Sequence, residues 1–444
     1  MSEAAIEAGI IDRVLRILEL ELVKEDMDDD MASTALSILD SVKTLLAKEG
    51  GVQLVCSRLE LLLGQQAAGE LNADDSEVDN IMKQACDLLI IVLTGDDAMD
   101  LLYNNGVGEV YLTMVQWLDS GNSSLLTTAV LAIGNFARKD AYCIHMMNDH
   151  IYEKLLDIFE VYHNFAVKTI KNPNEAHPID TGTLTKVQHA VLSALRNLSV
   201  PAANKRAAAA GGRAMTLFLA ALPHVKDHHV AYKLLAAIRM LVDGQESVAR
   251  QFASNHSALT AAAMWGAAVE HAGAAGEAPR LLAWTVRQLR HTNACQDIMQ
   301  VDGCISCLVN MLVSSHSVMQ NEAILSLTLL AIDVFNNKTP QTEHPPMFNY
   351  EKNFMTQLEK SEIGKHVSLL IDSNCAKMPI EVAENLLAFL DITAKKNELA
   401  HEYRNAKVHE SLQKLTDSRH DFSDSLIDCA KVVASMISDT DKLQ

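Results

Sequence analysis

The sequence predicts an all-α solenoid, a single array of stacked helical repeats, and three observations predict it. Apolar residues recur at spacings of three and four, most clearly around Leu125–Leu156. There Ala129, Leu131, Ala132, Ile133 and Phe136 give one helix a broad apolar surface, and Ile151, Leu155 and Leu156 begin the next. The stretch also recurs along the chain in altered form. Asp97 overlays on Asp140 after a shift of 43, Asn197 on Asn135 after 62, Arg239 on Arg196 after another 43, and Arg287 on Arg239 after 48. A period near 43, lengthened by insertions, falls in the armadillo/HEAT range of about 40–47 residues, not the roughly 33–34 of ankyrin or tetratricopeptide repeats. Composition agrees. The 444 residues are 49% hydrophobic, led by Ala and Leu, and only 5% aromatic, which suits close-packed helices better than a β-sandwich. One such repeat cannot bury both of its apolar faces, so about eight to nine are expected to stack into a right-handed superhelix.

In chain order, residues 1–23 read as the end of a partial repeat, apolar at Ile10, Ile11, Val14, Leu15, Leu18 and Leu22, so the chain is expected to start inside an array. Repeats are predicted over 31–63, 81–118, 124–160, 186–222, 228–268, 278–313, 316–373 (irregular) and 379–416. A capping helix with a polar end follows over 423–443. Loops are predicted over 24–30, 64–80, 161–185 and 335–350; the first two, KEDMDDD and QQAAGELNADDSEVD, are acidic and poor in apolar residues. Gly50, Gly51, Gly106, Gly211, Gly212 and Gly303 mark turns, and Pro201, Pro223 and Pro379 fall at helix edges.

Charge narrows the function classes. With 57 acidic against 37 basic residues the net charge is −20, the wrong sign for nucleic acid or an anionic membrane surface and compatible with a basic partner. MSEAAIEAGI has no basic and apolar signal regions, no apolar run reaches about 18 residues, and DKLQ is not a prenylation box. The chain is expected in the cytoplasm, reaching the nucleus or organelle surfaces only through a partner, without stable insertion into a membrane.

Catalytic signatures are missing. Cys304-Ile-Ser-Cys307 is the one C-x-x-C and opens an apolar helix, so it reads as a buried face; Cys56, Cys86, Cys143, Cys295, Cys375 and Cys429 likewise read as small buried hydrophobes. The 17 histidines form no H-E-x-x-H, and there is no P-loop, no G-x-G-x-x-G after a strand and no G-x-S-x-G. No catalytic centre, metal or cofactor is expected; activity would consist of binding a partner and changing its state.

The polar residues within the repeated helices are the sharper signal. Asn135, Arg138, Arg196, Asn197, Arg239 and Asp243, with Arg287, recur at or near equivalent positions. Stacking would line them into a ladder on the concave face, where an asparagine can pair with a partner's backbone; alternatively they cap or bridge neighbouring helices. Asp28, Asp29, Asp30, Asp96 and Asp97 are candidates for steering a basic tail, or solvated linker charges.

AVLAIGNFARKDAYCIHMMNDHIYEKLLD, HAVLSALRNLSVPAANK, LLAAIRMLVDGQ and SHSVMQNEAILSLTLLAI together closely resemble the small-GTPase guanine-nucleotide dissociation stimulators, the SmgGDS family, from about Ile10 to about Ile332. The resemblance implies an armadillo superhelix that binds Rho, Rac, Ras and Rap-type GTPases with basic, prenylated tails. It implies chaperoning of them and, for Rho, nucleotide exchange, with Asn135/Arg138 and Arg196/Asn197 facing the GTPase. The chain departs from the family in length, retaining its C-terminal repeats. The family's prenyl-accepting groove belongs to earlier repeats, so prenyl binding is not expected of this chain alone. The rival expectation is a passive adaptor whose groove holds an extended basic peptide.

Overall fold

A computed structural model describes residues 29–70, 75–175, 177–290, 292, 295–336, 349–419 and 421–438, and every regular element among them is a helix. The helix expected over 1–23, Asp28, most of the 335–350 loop and the last residues of the cap lie outside the described residues. The chain divides into two compact units, Met1–Lys205 and Arg206–Gln444.

The first unit holds α1 (Asp29–Lys48), α2 (Gly51–Ala68), α3 (Asp75–Leu93), α4 (Asp96–Tyr103), α5 (Glu109–Trp117), α6 (Ser123–Phe136), α7 (Asp140–Asn148), α8 (Ile151–Lys171) and α9 (Thr181–Leu198). Helices α4, α5 and α6 form one armadillo triplet, and α7, α8 and α9 the next. The third helices α3, α6 and α9 lie side by side, and α1 packs along α4.

The boundary between units falls within α10 (Ala202–Gly211), which is followed by α11 (Arg213–Ala221), α12 (His228–Val242), α13 (Glu246–Ala253), α14 (His256–Ala267), α15 (Ala272–Leu289), α16 (Cys295–Met299), α17 (Cys304–Met311) and α18 (Ser317–Asn336). The rest is α19 (Tyr350–Lys360), α20 (Ile363–Asn374), α21 (Ile380–Thr393), α22 (Asn397–Asn405), α23 (Val408–Ser418) and α24 (Asp424–Ser438). Third helices again stack in succession: α12, α15, α18, α21 and α24.

Why the chain breaks where it does follows from its caps. Three third helices, α6, α9 and α12, start on side-chain caps: Asn122 accepts from the amides of Ser124 and Leu125 at 2.9 and 3.1 Å, Asp180 from Thr183 at 2.9 Å, and Asp227 from His229 and Val230 at 2.9 and 3.0 Å. Most first helices instead lead into a left-handed residue, α13 with its right-handed Ser254 excepted. Gly50, Gly212 and Gly303 fill that place without strain, whereas His150, Glu362 and Lys407 hold it at φ of 59°, 51° and 60°.

Burial follows the sandwiching of each third helix. In α6, Leu125, Leu126, Ala129, Val130, Ala132, Ile133 and Phe136 are buried between its neighbours, each large side chain worth about 1.5–3 kcal/mol. Leu131, expected in that apolar surface, is exposed instead, because it shares with Asn135, one turn later, the side that no neighbour covers. Helices α6 and α9 approach closely at Gly134, where an added Cβ would make ordinary contact with Ala194 at 3.7 Å.

Four expectations change. The predicted 64–80 loop is helical at both ends, where α2 runs on to Ala68 and α3 begins at Asp75. Helix α8 continues to Lys171, well into the predicted 161–185 loop, because Tyr162 and His163 are still buried one helical turn beyond Phe159. Ser317–Phe335 of α18 is long and apolar enough to cross a membrane by length and composition, yet it packs between α15 and α21. Among the cysteines, Cys375 is half-buried and Cys429 exposed, while the other six are buried.

Candidate functional site

The C-terminal ends of the third helices carry the sequence-derived candidates, and in the first unit they converge on α3 and α6. Arg138 donates to the carbonyls of Leu93 and Thr94 at 2.9 and 3.0 Å, the last free carbonyls of α3, and pairs with Asp96 at 3.0 Å. Its Nε donates to the Asn135 carbonyl at 3.1 Å. A guanidinium at a helix C-terminus opposes the negative end of the dipole and satisfies orphan acceptors together. Buried Lys43, from α1, donates to Thr94 Oγ1 at 2.8 Å, so cations from two other helices meet at the end of α3.

Asn197 acts likewise, its amide donating across to the Gly134 carbonyl of α6 at 3.1 Å. Asn135 is half-buried and folds back onto the Leu131 carbonyl at 3.1 Å, which leaves its carboxamide oxygen without a donor among the described residues. Arg196 differs from all of these. It is half-buried on α9 and meets no hydrogen-bonding or ion-pairing partner among the described residues. Of the four candidates in this unit, two serve neighbouring helices, and Arg196 with one end of Asn135 is left for something outside the chain.

Asp96 is committed to Arg138, while the neighbouring Asp97 is exposed and has no partner among the described residues. Asp97 lines an open groove of about 670 Å³ with Thr44, Lys48, Asp100, Leu101, Asn104 and Tyr142. One wall is fixed: Tyr142 donates to Asp100 at 2.9 Å, and Lys139 pairs with the same carboxylate. Asp28 lies outside the described residues, and Asp29 and Asp30 open α1.

In the second unit Arg239, expected on the partner-facing surface, is buried, its guanidinium paired with buried Glu277 of α15. A buried charge survives only when so matched. Asp243 lies 3.7 Å from Arg287. The sequence reading missed what surrounds them. Arg280 donates to both oxygens of Glu322 at 2.8 and 2.9 Å, and the Trp284 indole donates to Glu322 at 2.9 Å. Burial alone would raise the Glu322 pKa, but the hydrogen bonds from Arg280 and Trp284 outweigh it and hold the carboxyl below its ordinary range. Further along, Asn321 donates to Glu381 at 2.9 Å and Asn385 to Asn321 at 2.8 Å. Each adjacent pair of third helices from α12 to α21 is thus stitched by polar side chains. The tryptophan within LLAWTVRQLRH was the available signal, since an indole among arginines on a solvent-side helix asks for a reason.

Cys304 and Cys307 are buried in α17, and burial pushes the Cys307 thiol up to about 12, so neither is a ready nucleophile. Among the described residues no group of three or more His, Cys, Asp or Glu side chains is placed to hold a metal ion.

No family model matches the chain. Curated proteins do. It is 30% identical over 441 residues to the GTPase-GDP dissociation stimulator vimar of Drosophila melanogaster, an alignment covering 91% of this chain and 64% of that protein. It is 32% identical over 383 residues to the Rap1 GTPase-GDP dissociation stimulator 1-A of Xenopus laevis, covering 85% and 58%. The chain therefore spans about three fifths of the length of the curated relatives it matches. Solved structures lie further off: an engineered protein covers 97% of this chain at 18% identity with a TM-score of 0.48, and a designed armadillo repeat protein 64% at 14% and 0.43.

Proposed function

We propose that this chain, homologous to the GTPase-GDP dissociation stimulators along 85–91% of its length, binds a small GTPase through the third-helix face of its first unit and hastens the loss of bound GDP. The observation that carries this is Arg196, a half-buried guanidinium with no partner among the described residues, in the last turn of α9 beside Asn197, where Asn197 and Arg138 fix the helices around it. A positive charge held on a rigid face and left unmatched is suited to an acidic side chain on a folded partner.

The mechanism needs no proton transfer and no catalytic centre. A protein that binds the nucleotide-free or distorted GTPase more tightly than the loaded form lowers nucleotide affinity by the same factor. Arg196 and Asn135 supply contacts to the distorted form; Arg138 and Asn197 keep their helices in register and act indirectly. GTPases of the Rho, Rac, Ras or Rap type with basic tails are the proposed partners, since a −20 chain attracts such a tail, and Asp97 in its groove is a place to receive it. Chaperoning of the same partners in the cytoplasm is part of the proposal.

The test is release of a fluorescent GDP analogue from a basic-tailed Rho-type GTPase. The chain should accelerate release, and Arg196→Ala should remove most of the acceleration while leaving the melting temperature unchanged. No acceleration together with no capture of any small GTPase defeats the reading. Capture without acceleration converts it into the passive adaptor.

A further inference from the structure

Two buried tyrosines and a histidine meet where α4 turns into α5, and one hydroxyl is left over. The Tyr103 hydroxyl, at the end of α4, lies 2.9 Å from Nδ1 of His145 on α7. Tyr111, on α5, packs edge-on against Tyr103 with ring centroids 4.7 Å apart. Its own buried hydroxyl has no hydrogen-bond partner among the described residues. Buried polar groups are nearly always paired, so this one asks for a reason. Burial pushes the Tyr111 hydroxyl up to about 12 and raises that of Tyr103 as well, so both keep their protons.

His145 cannot serve both of its neighbours at once. The Nδ1 that faces Tyr103 also lies 3.4 Å from Oδ2 of Asp149, one helical turn on. With its proton on Nε2 the neutral ring accepts at Nδ1 from Tyr103. The charged ring carries a proton there and donates to the carboxylate. The side chains of His145 and Asp149 are 42% and 48% exposed, so protons reach the ring from solvent. The other titratable groups about the cluster are already engaged or buried. Tyr142 stacks on Tyr103 and is tied to Asp100 beside Lys139, Cys143 is a buried thiol, and His150 pairs with Glu153 at 3.8 Å. Phe136 of α6, packed on both tyrosines, is apolar.

We infer that His145 is a proton-controlled latch between α4 and α7: neutral, it holds Tyr103; charged, it turns to Asp149, and the unpartnered hydroxyl of Tyr111 takes over the Tyr103 hydrogen bond. The turn after α4 feels the change. Its Gly106 is packed so closely on the imidazole that an added Cβ would overlap Cε1. Its Val107 and Gly108 amides donate back to the carbonyls of Asn104 and Tyr103, each at 3.1 Å. Asn104 and Asn105 of the same turn line the groove that holds Asp97, so acidification loosens one wall of that groove. The latch does not depend on the GTPase reading, because both of its states belong to the chain alone.

Amide hydrogen exchange of the intact chain tests this, followed at Val107 and Gly108 from about pH 8 to pH 5, the span over which imidazoles ordinarily charge, and corrected for the intrinsic rate. Protection of the two amides should fall about fivefold across that span, the worth of one hydrogen bond. His145→Gln, which cannot charge, should hold one level of protection throughout. Asp149→Asn offers the charged ring no carboxylate and should move the transition to lower pH. Tyr111→Phe, which removes the second partner of Tyr103, should do the same. Asp140→Asn, an equal change in net charge at the other end of α7, should leave the transition in place. The proposal falls if protection in the unaltered chain does not change with pH, or if His145→Gln responds as the unaltered chain does. It falls equally if Asp140→Asn shifts the transition as far as Asp149→Asn, or if Tyr111→Phe leaves it where it was.

Discussion

Arg138 and Arg196 look equivalent as letters: arginines near the ends of two repeats. One satisfies two carbonyls and pairs with Asp96, and the other touches no polar group among the described residues. Their alanine variants should separate stability from binding. Arg138→Ala should cost about 1–3 kcal/mol in denaturant unfolding, because two acceptors at the end of α3 lose their donor; Arg196→Ala should stay within about 0.5 kcal/mol. Equal losses would abolish the distinction. Glu322 supplies a pH dependence. Its folded pKa is depressed below the ordinary 4.5, so its stabilisation is complete above that value and is lost as pH falls through the folded one. Unfolding free energy should fall more steeply between about pH 5 and pH 3 in the unaltered chain than in Glu322→Gln; identical slopes would count against the network. The sequence could mark these positions as repeated and polar. It could not divide them, because what Asn197 or Arg239 does is decided by a carbonyl 63 residues earlier or a carboxylate 38 residues later.

At the scale of the element, the turns from first to second helices carry the strain. Lys407 occupies at φ 60° the place that glycine holds in other repeats, a conformation costing an L-residue about 1–2 kcal/mol. Lys407→Gly should raise the melting temperature modestly, since relief of strain exceeds the added freedom of the unfolded chain. Gly106 shows the opposite case. At φ 88° its Cβ would lie 2.3 Å from His145 Cε1, and that ring accepts or donates to buried Tyr103 at 2.9 Å. Gly106→Ala should lower stability by more than about 2 kcal/mol. Helical character and the period near 43 were legible because burial between two neighbours writes itself as a periodicity of 3.6. The end of α8 was not, since residues 161–171 mix exposed Val161 and Ile170 with buried Tyr162 and His163 and read as irregular from the letters alone.

At the scale of the whole molecule, the charge of −20 acts before any contact forms. The association rate with a basic-tailed GTPase should drop several-fold as salt rises from about 50 to 300 mM, with dissociation changing much less. Stopped-flow measurement showing a salt-independent association rate would remove steering from the mechanism.

The single left-handed residue found between several of the first and second helices also bears on how such a chain can change length over evolution. A joint of one or two residues, as at Gly212 or at Asp149 and His150, with its handedness fixed, has little slack: an added residue would rotate the second helix away from its neighbours. Length variation is then taken up elsewhere, and the repeat that departs most from the period, 62 in place of 43, takes it up in the extended α8 and in the stretch between Lys171 and Thr181, while its joint of Asp149 and His150 stays two residues long. New surface can be added on that side of a repeat without disturbing the stacking of the third helices, on which the candidate residues stand.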